Sequence, residues 1–452
     1  MPSSFNGVNA PVFSLKTETS GGIGEYLDLI PLIDWARAHG LNVIQILPIN
    51  DNGLDPSPYN LQSVFALNPL LIKWPGVSDK GLNDLIRIDY DAVRDLKEKA
   101  FKAYNFPYKE VEKFRKNEKW VDTYAHFKEG EKTVCEQWLA ATQMKQVKAH
   151  ADKVGVKIMG DLPILVAPDS VEVKLHPHLF HLDRSAGAPP DQFTDEEQNW
   201  GCPIYNWEAM KKEDFSWWKA RLKYSEHYYH MYRIDHIVGF YRIWSYPADD
   251  PNAKGAFYPK DKNVWIPHGE TILKAIIDHS TMEPIGEDLG TIPKGVTESL
   301  DRLMVPGTRV LRWERFKDPP RNYIPFHRYP PLNLATVSTH DVAPLRLWWK
   351  EETKERTLFC RFMGWKNEKK ISDQRIIDIL KISHNTPCLY AVNLLLEYLS
   401  AVPSLRHSHP ESDRINLPGK VSPKNWRFRM KPTIEQMAKS KELSRIFNDI
   451  LY

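Results

Sequence analysis

A chain of 452 residues with 42% hydrophobic and 26% charged side chains has room for one large domain with insertions, and its balance is that of a globular protein. Its 61 basic and 58 acidic residues leave a net charge of +3, which gives no electrostatic case for a nucleic-acid or membrane partner. Four scattered cysteines with no Cys-x-x-Cys pair argue against a disulfide framework and fit a reducing, cytoplasmic compartment; there is no leader-like N-terminus, and no apolar run approaches the roughly 20 residues that span a bilayer.

In chain order, Ser20-Gly21-Gly22-Ile23-Gly24 reads as a tight turn before a helix over Glu25–His39, whose apolar residues Leu27, Ile30, Ile33 and Ala36 recur at helical spacing and which Gly40 ends. Leu41–Ile49 reads as a strand, followed by a polar loop that reaches Ser57-Pro58-Tyr59. Residues from about 75 to 150 are charged and read as a helical insertion. A second strand spans Val154–Gly160 and runs into Asp161. His176, His178, His181 and Asp183 sit close together, but at no metal-ligand spacing, so ordinary packing is the better account. Residues 185–207 read as a long, irregular, aromatic-bearing loop, which makes them an active-site loop candidate.

The apolar run Tyr228–Tyr232 leads into Arg233-Ile234-Asp235-His236. Strand side chains alternate faces, so Arg233 and Asp235 share one, and the guanidinium is expected to keep the Asp235 carboxyl ionised. Taken alone, these two residues are better explained as a structural ion pair at a strand end; the other strand ends reverse that balance. Further strand signals are Thr281–Gly286, ending in Glu287-Asp288, then Thr308–Trp313, then Leu334–Ser338, ending in Thr339-His340-Asp341. A helical region is predicted from Thr353 to Leu399, before the distinctive Asp413–Gly419.

Strands separated by helical segments predict a parallel α/β fold. Four of the strands end in an acid: Asp161, Asp235, Glu287 and Asp341. In a (β/α)₈ barrel these would converge on one site, whereas a doubly wound sheet would spread them along an edge. Two carboxyl groups with separated pKa values make an acid and a nucleophile for glycosidic bond cleavage. The same cluster could instead hold a divalent metal. The aromatic residues, 15 Trp, 19 Tyr and 18 Phe, lean towards sugar, although most of them serve simply to fill a large core.

At this point the chain resembles the amylomaltases, the disproportionating 4-α-glucanotransferases related to the α-amylases. The matching pieces are Gly22-Ile23-Gly24-Glu25, Ser57-Pro58-Tyr59, Gly160-Asp161-Leu162-Pro163, Pro189-Pro190-Asp191, Trp200-Gly201, Arg233-Ile234-Asp235-His236, Gly286-Glu287-Asp288-Leu289-Gly290, Thr339-His340-Asp341 and Arg414-Ile415-Asn416-Leu417-Pro418-Gly419. Each is weak alone; their presence together, in family order over nearly the whole chain, is specific.

The resemblance implies a single catalytic (β/α)₈ TIM barrel over residues 1–452, with mainly helical insertions and no C-terminal β-sandwich domain. It implies Asp235 as nucleophile, Glu287 as general acid/base and Asp341 as transition-state stabiliser. Arg233 and His340 would support the subsite of the reacting sugar, and Asp161 would contact that sugar. Tyr59 would stack on it, while Ser57, Asp191, Gln198 and Trp200 would line neighbouring subsites. No cofactor or metal is implied. The expected partners are malto-oligosaccharides and maltose, with glycogen or other glucans as acceptors; no oligomeric state is specified. A retaining α-glucan hydrolase, a non-catalytic glucan-binding protein and a metal-dependent barrel enzyme are the alternatives.

Overall fold

The computed structural model describes residues 4–128, 130–190, 197–250, 253–316 and 321–452. Twelve strands are described: β1 Phe5–Asn9, β2 Val43–Gln45, β3 Lys157–Leu162, β4 Phe180–Ala188, β5 Gln198–Tyr205, β6 Met231–Ile234, β7 Ile243–Pro247, β8 Ala256–Tyr258, β9 Glu283–Gly286, β10 Gly307–Val310, β11 Asn333–Thr336 and β12 Tyr390–Leu394. Eight form one parallel sheet in the order β10-β11-β12-β1-β2-β3-β6-β9. Its two ends meet: Gly286 N–H donates to Pro306 O at 2.8 Å, and Thr308 Oγ1 donates to Gly286 O at 2.9 Å. The Thr308 amide is held at 2.6 Å by the Asp288 carboxylate. The sheet is thus an eight-stranded barrel whose last seam is stitched largely by side chains.

Alternation along the strands fixes what the barrel holds. Val43, Met159, Met231, Ile285, Leu334, Tyr390 and Val392, from six different strands, pack together in the interior. Two residues after Met159 comes Asp161, and two after Met231 comes Arg233, so both point inward at the C-terminal end of the barrel. Asp235 and Glu287 continue the same period beyond β6 and β9.

The sequence reading and the structure differ in four places. The strand predicted over Val154–Gly160 begins later, because the helix Glu131–Val154 runs on until Gly155 caps it in a left-handed conformation. The helical region Thr353–Leu399 contains β12, whose mainly apolar run continues into Leu395–Leu399 and hides a strand inside a helical pattern. β1 was not foreseen: Gly7 weakens its strand signal, yet a Cβ there would stand 2.4 Å from Val43 O, so close strand approach demands glycine. The expected irregular loop 185–207 lies mostly in β4 and β5, which join β7 and β8 in a four-stranded antiparallel sheet of order β5-β4-β7-β8. Between β2 and β3 lie the helices Lys80–Asn83, Tyr90–Ala103, Tyr108–Asn117, Trp120–Phe127 and Glu131–Val154. Among the described residues no helix is long and apolar enough to cross a membrane.

Candidate active site

The site is built around one guanidinium. Strands β3 and β6 pair with Asp161 opposite Arg233, and Arg233 Nη1 lies 2.8 Å from both Asp161 oxygens. The same nitrogen donates to Asp235 Oδ1 at 3.0 Å, and Nη2 stands 3.8 Å from Glu287 Oε2. In the β6–β9 pairing Arg233 sits opposite Ile285, so two residues further on Asp235 and Glu287 are neighbours. The Asp235 amide donates to Leu162 O at 3.1 Å, and the Glu287 amide to Ile234 O at 3.0 Å. Three of the four strand-end acids, Asp161, Asp235 and Glu287, therefore meet one cation.

The side chains grade from buried to open: 0% exposed for Asp161, 13% for Glu287, 24% for Asp235 and 41% for Asp341. Burial pushes the Glu287 carboxyl up to about 8, the nearby Arg233 opposing and the Asp235 charge adding to the rise. Asp235 is not depressed as expected. Burial outweighs Arg233 and raises its carboxyl to about 6, with Asp161 and Asp341 contributing. Burial acts the same way on Asp341, but His340, Asn416 and Arg233 overcome it and hold that carboxyl at about 2. At neutral pH Glu287 is thus mostly protonated, while Asp235 and Asp341 are mostly ionised. Burial disfavours the charged form of Arg233, yet Asp161, Tyr59, Asp235 and Glu287 together hold it well above its ordinary value.

Asp341 follows β11. Its Oδ1 accepts from Asn416 Nδ2 at 2.8 Å, and its Oδ2 lies 3.1 Å from His340 Nε2 without hydrogen-bond geometry. Tyr59, from the loop after β2, donates to Asp161 Oδ2 at 2.7 Å and stacks on His340, with ring centroids 5.2 Å apart. Asp161 is therefore fully engaged by Arg233 and Tyr59. Its side chain is 0% exposed between them.

Ser57 shapes the turn that carries Tyr59: its Oγ accepts from the Tyr59 amide at 3.4 Å. Gln198 and Trp200 lie on β5, where Trp200 Nε1 donates to Gln198 Oε1 at 3.2 Å. The Trp200 ring meets His236 edge-on at 5.2 Å, which brings this ribbon beside the residue that follows Asp235. Asp191 lies outside the described residues. The histidines near residue 180 find separate partners, His178 in Glu213 and His181 in Tyr258. Among the described residues no group of three His, Cys, Asp or Glu side chains is placed to hold a metal ion.

Three features of the site were not assigned from the sequence. Asn416 lies in a quoted segment, but its bond to Asp341 has no sequence signal. Trp426 packs against both Tyr59 and His340, at 5.6 and 5.7 Å. It sits at φ +60°, as His236 does at φ +45°, in a region that costs a residue with a Cβ about 1–2 kcal/mol. The strain at His236 aims its amide at Glu287 Oε2, 2.7 Å away.

The 4-alpha-glucanotransferase family model matches residues 10–134 and 128–435. A 4-alpha-glucanotransferase of Chlamydia muridarum is 38% identical over 98% of this chain and 94% of its own length. One of Chlamydia trachomatis serovar D is likewise 38% identical over 98% and 94%. The amylomaltase of Streptococcus agalactiae, solved in complex with acarbose, superposes with a TM-score of 0.81 at 23% identity, covering 99% of this chain and 98% of that one.

Proposed function

This chain belongs to the 4-alpha-glucanotransferase family, and on that premise we propose that it moves α-1,4-glucan segments or glucosyl units from a donor malto-oligosaccharide to the 4-hydroxyl of an acceptor through a covalent glycosyl–Asp235 intermediate. The observation that carries this assignment of roles is the split between two adjacent carboxyl groups, Glu287 at about 8 and Asp235 at about 6, on either side of one guanidinium.

Glu287 gives its proton to the glycosidic oxygen as Asp235 attacks the anomeric carbon. The ionised Asp341, anchored by Asn416, binds the sugar hydroxyls and stabilises the positive charge that develops on the ring. Arg233, held by Asp161, keeps the nucleophile in place. Once Asp235 is esterified its negative charge is gone. Glu287 then loses a neighbour that raised its pKa and keeps one, Arg233, that lowers it. That change turns the acid into a base able to deprotonate the acceptor 4-hydroxyl, whose attack releases Asp235 and restores the first charge state. Two displacements give retention.

Tyr59, Ser57, Gln198 and Trp200 line the cleft along the bound glucan, with Asp191 assigned there from the sequence. Maltose, malto-oligosaccharides and glycogen-type glucans are the proposed donors and acceptors. Four free cysteines fit a reducing, cytoplasmic setting. Incubation with maltotriose tests transfer directly: glucose plus chains longer than three units is the expected outcome. Only shorter sugars would mean that water outcompetes the acceptor and that the protein is a retaining hydrolase.

A further inference from the structure

The loop that carries His340 and Asp341 follows β11, which lies between β10 and β12. Two buried charged residues grip it, one from beyond each neighbouring strand. Glu397 lies in the helix Leu395–Ser400 that follows β12 and is 0% exposed. Its Oε1 accepts from Ser338 Oγ and, at 2.9 Å, from the Leu345 amide. Ser338 is three residues before Asp341 and Leu345 four after it, so one oxygen clamps both ends of the loop. Arg312, just past β10 and also buried, donates from Nη2 to Ala343 O at 2.6 Å. Its guanidinium lies over the Trp348 ring at 5.3 Å. Burial raises the Glu397 pKa, and the Ser338 and Leu345 hydrogen bonds and Arg312 oppose that rise. Glu397 Oε2 has no hydrogen-bond partner among the described residues. The hydrogen bonding of this carboxyl is therefore directed wholly at the loop.

A carboxylate is costly to bury, and a plain core would be served as well by an apolar side chain. We propose that Glu397, with Arg312, is a positioning residue that sets the place of Asp341 relative to Asp235 by clamping residues 338–345. Neither residue lies among the groups that meet Arg233, and both act through Asp341. This inference rests on the reading of Asp341 as the group that stabilises the transition state.

A double-mutant cycle tests it, using the full chain with maltosyl fluoride as donor so that weak activity stays measurable. Glu397→Leu is expected to lower kcat/KM by about 100-fold, the scale of a misplacement of about 1 Å. In an Asp341→Asn background the same change is expected to cost less than about threefold, because the group it positions is already disabled. Glu397→Gln keeps an oxygen for Ser338 and Leu345 and is expected to stay within about tenfold of the parent. Where Glu397→Leu fails to fold, Ser338→Ala, which removes one donor and leaves the carboxyl, is carried through the same cycle with an expected loss of about tenfold. Equal losses in both backgrounds would overturn the inference while leaving the role of Asp341 intact. Full activity of Asp341→Asn would overturn the role of Asp341 and this inference with it.

Discussion

One nitrogen of Arg233 stands equally close, at 2.8 Å, to both oxygens of Asp161. The same nitrogen also donates to Asp235, and the second, Nη2, stands 3.8 Å from Glu287. A lysine has one nitrogen and no planar fork, so it cannot serve all three carboxyl groups. Arg233→Lys is expected to lower kcat by about 100-fold or more in a maltotriose disproportionation assay. Asp161→Asn breaks a buried pair and is expected to cost about 3 kcal/mol of stability in denaturant unfolding. A fully active Arg233→Lys enzyme would remove the guanidinium from the centre of the site.

The activity profile in pH follows from the two carboxyl groups, which titrate as a pair. Below about 6 Asp235 takes up a proton and the nucleophile is lost; above about 8 Glu287 gives its proton up and the acid is lost. The dependence of kcat/KM on pH is expected to be bell-shaped, with limbs near those values. With an activated donor that needs no protonation, such as maltosyl fluoride, the alkaline limb for release of the leaving group should flatten while the acid limb stays. A single limb with a natural donor would mean that the two residues do not divide the work.

Retention and the covalent intermediate can be read separately. Glu287→Gln with maltosyl fluoride is expected to accumulate glycosyl-enzyme, seen as a mass increase on the intact protein. Asp235→Ala is expected to show neither that adduct nor turnover. Inverted product from the parent enzyme would require a water-sized gap between the carboxyl groups and would end the double-displacement account.

Tyr59 combines a hydrogen bond to Asp161 with a stacked contact on His340. Its hydroxyl is buried beside a carboxylate and its pKa is well above the ordinary value, burial being the main cause, so it remains a donor throughout the working range. Tyr59→Phe keeps the ring and is expected to lower kcat by about tenfold. Tyr59→Ala and Trp426→Ala remove aromatic surface from the cleft and are expected to raise KM for maltotriose more than Tyr59→Phe does. Equal kinetics for Tyr59→Phe and Tyr59→Ala would leave the ring without a part in binding.

The Gly22-Ile23-Gly24-Glu25 segment has a structural role. Glu25, fully buried, pairs with the buried Lys97 and, at 3.1 Å, with Lys73, which also reaches Asp28 at 2.6 Å. A Cβ at Gly24 would stand 1.8 Å from Val12 O, so the glycine allows the chain to pass there. Lys97→Met leaves Glu25 short of a partner and is expected to destabilise the fold by about 3 kcal/mol, measured by denaturant unfolding, without changing KM.

The parts of the molecule that were legible in the sequence are those whose chemistry and periodicity coincide. Asp161, Asp235, Glu287 and Asp341 each follow a strand signal, and an acid just past such a signal is visible without coordinates. β12 is hidden because Tyr390–Leu399 is apolar but for Asn393 and Glu397, with neither a period of two nor a turn signal to separate the strand from the helix that follows it. β4 and β5 were hidden because Gly, Pro and charged residues interrupt their alternation, and pairing to β7, not local propensity, makes them strands. Trp426 and Asn416 lie far along the chain from their partners, and only folding brings them there. The raised pKa of Asp235 is not legible in the sequence, because a neighbouring Arg is readable there whereas the burial that outweighs it is not.

The side-chain stitching between β9 and β10 has a consequence for motion. A ladder of backbone bonds resists shear along its whole length, but here the closing edge depends on Asp288 and Thr308. The residue next to Asp288 is Glu287. Fluctuations of this barrel should therefore begin at that edge, and the Gly286 amide should exchange with solvent hydrogen sooner than the amides of β1 to β3 on the far wall. Glu287, the proposed proton donor, thus adjoins the edge expected to yield first, where small adjustments between its two proposed roles would meet the least resistance.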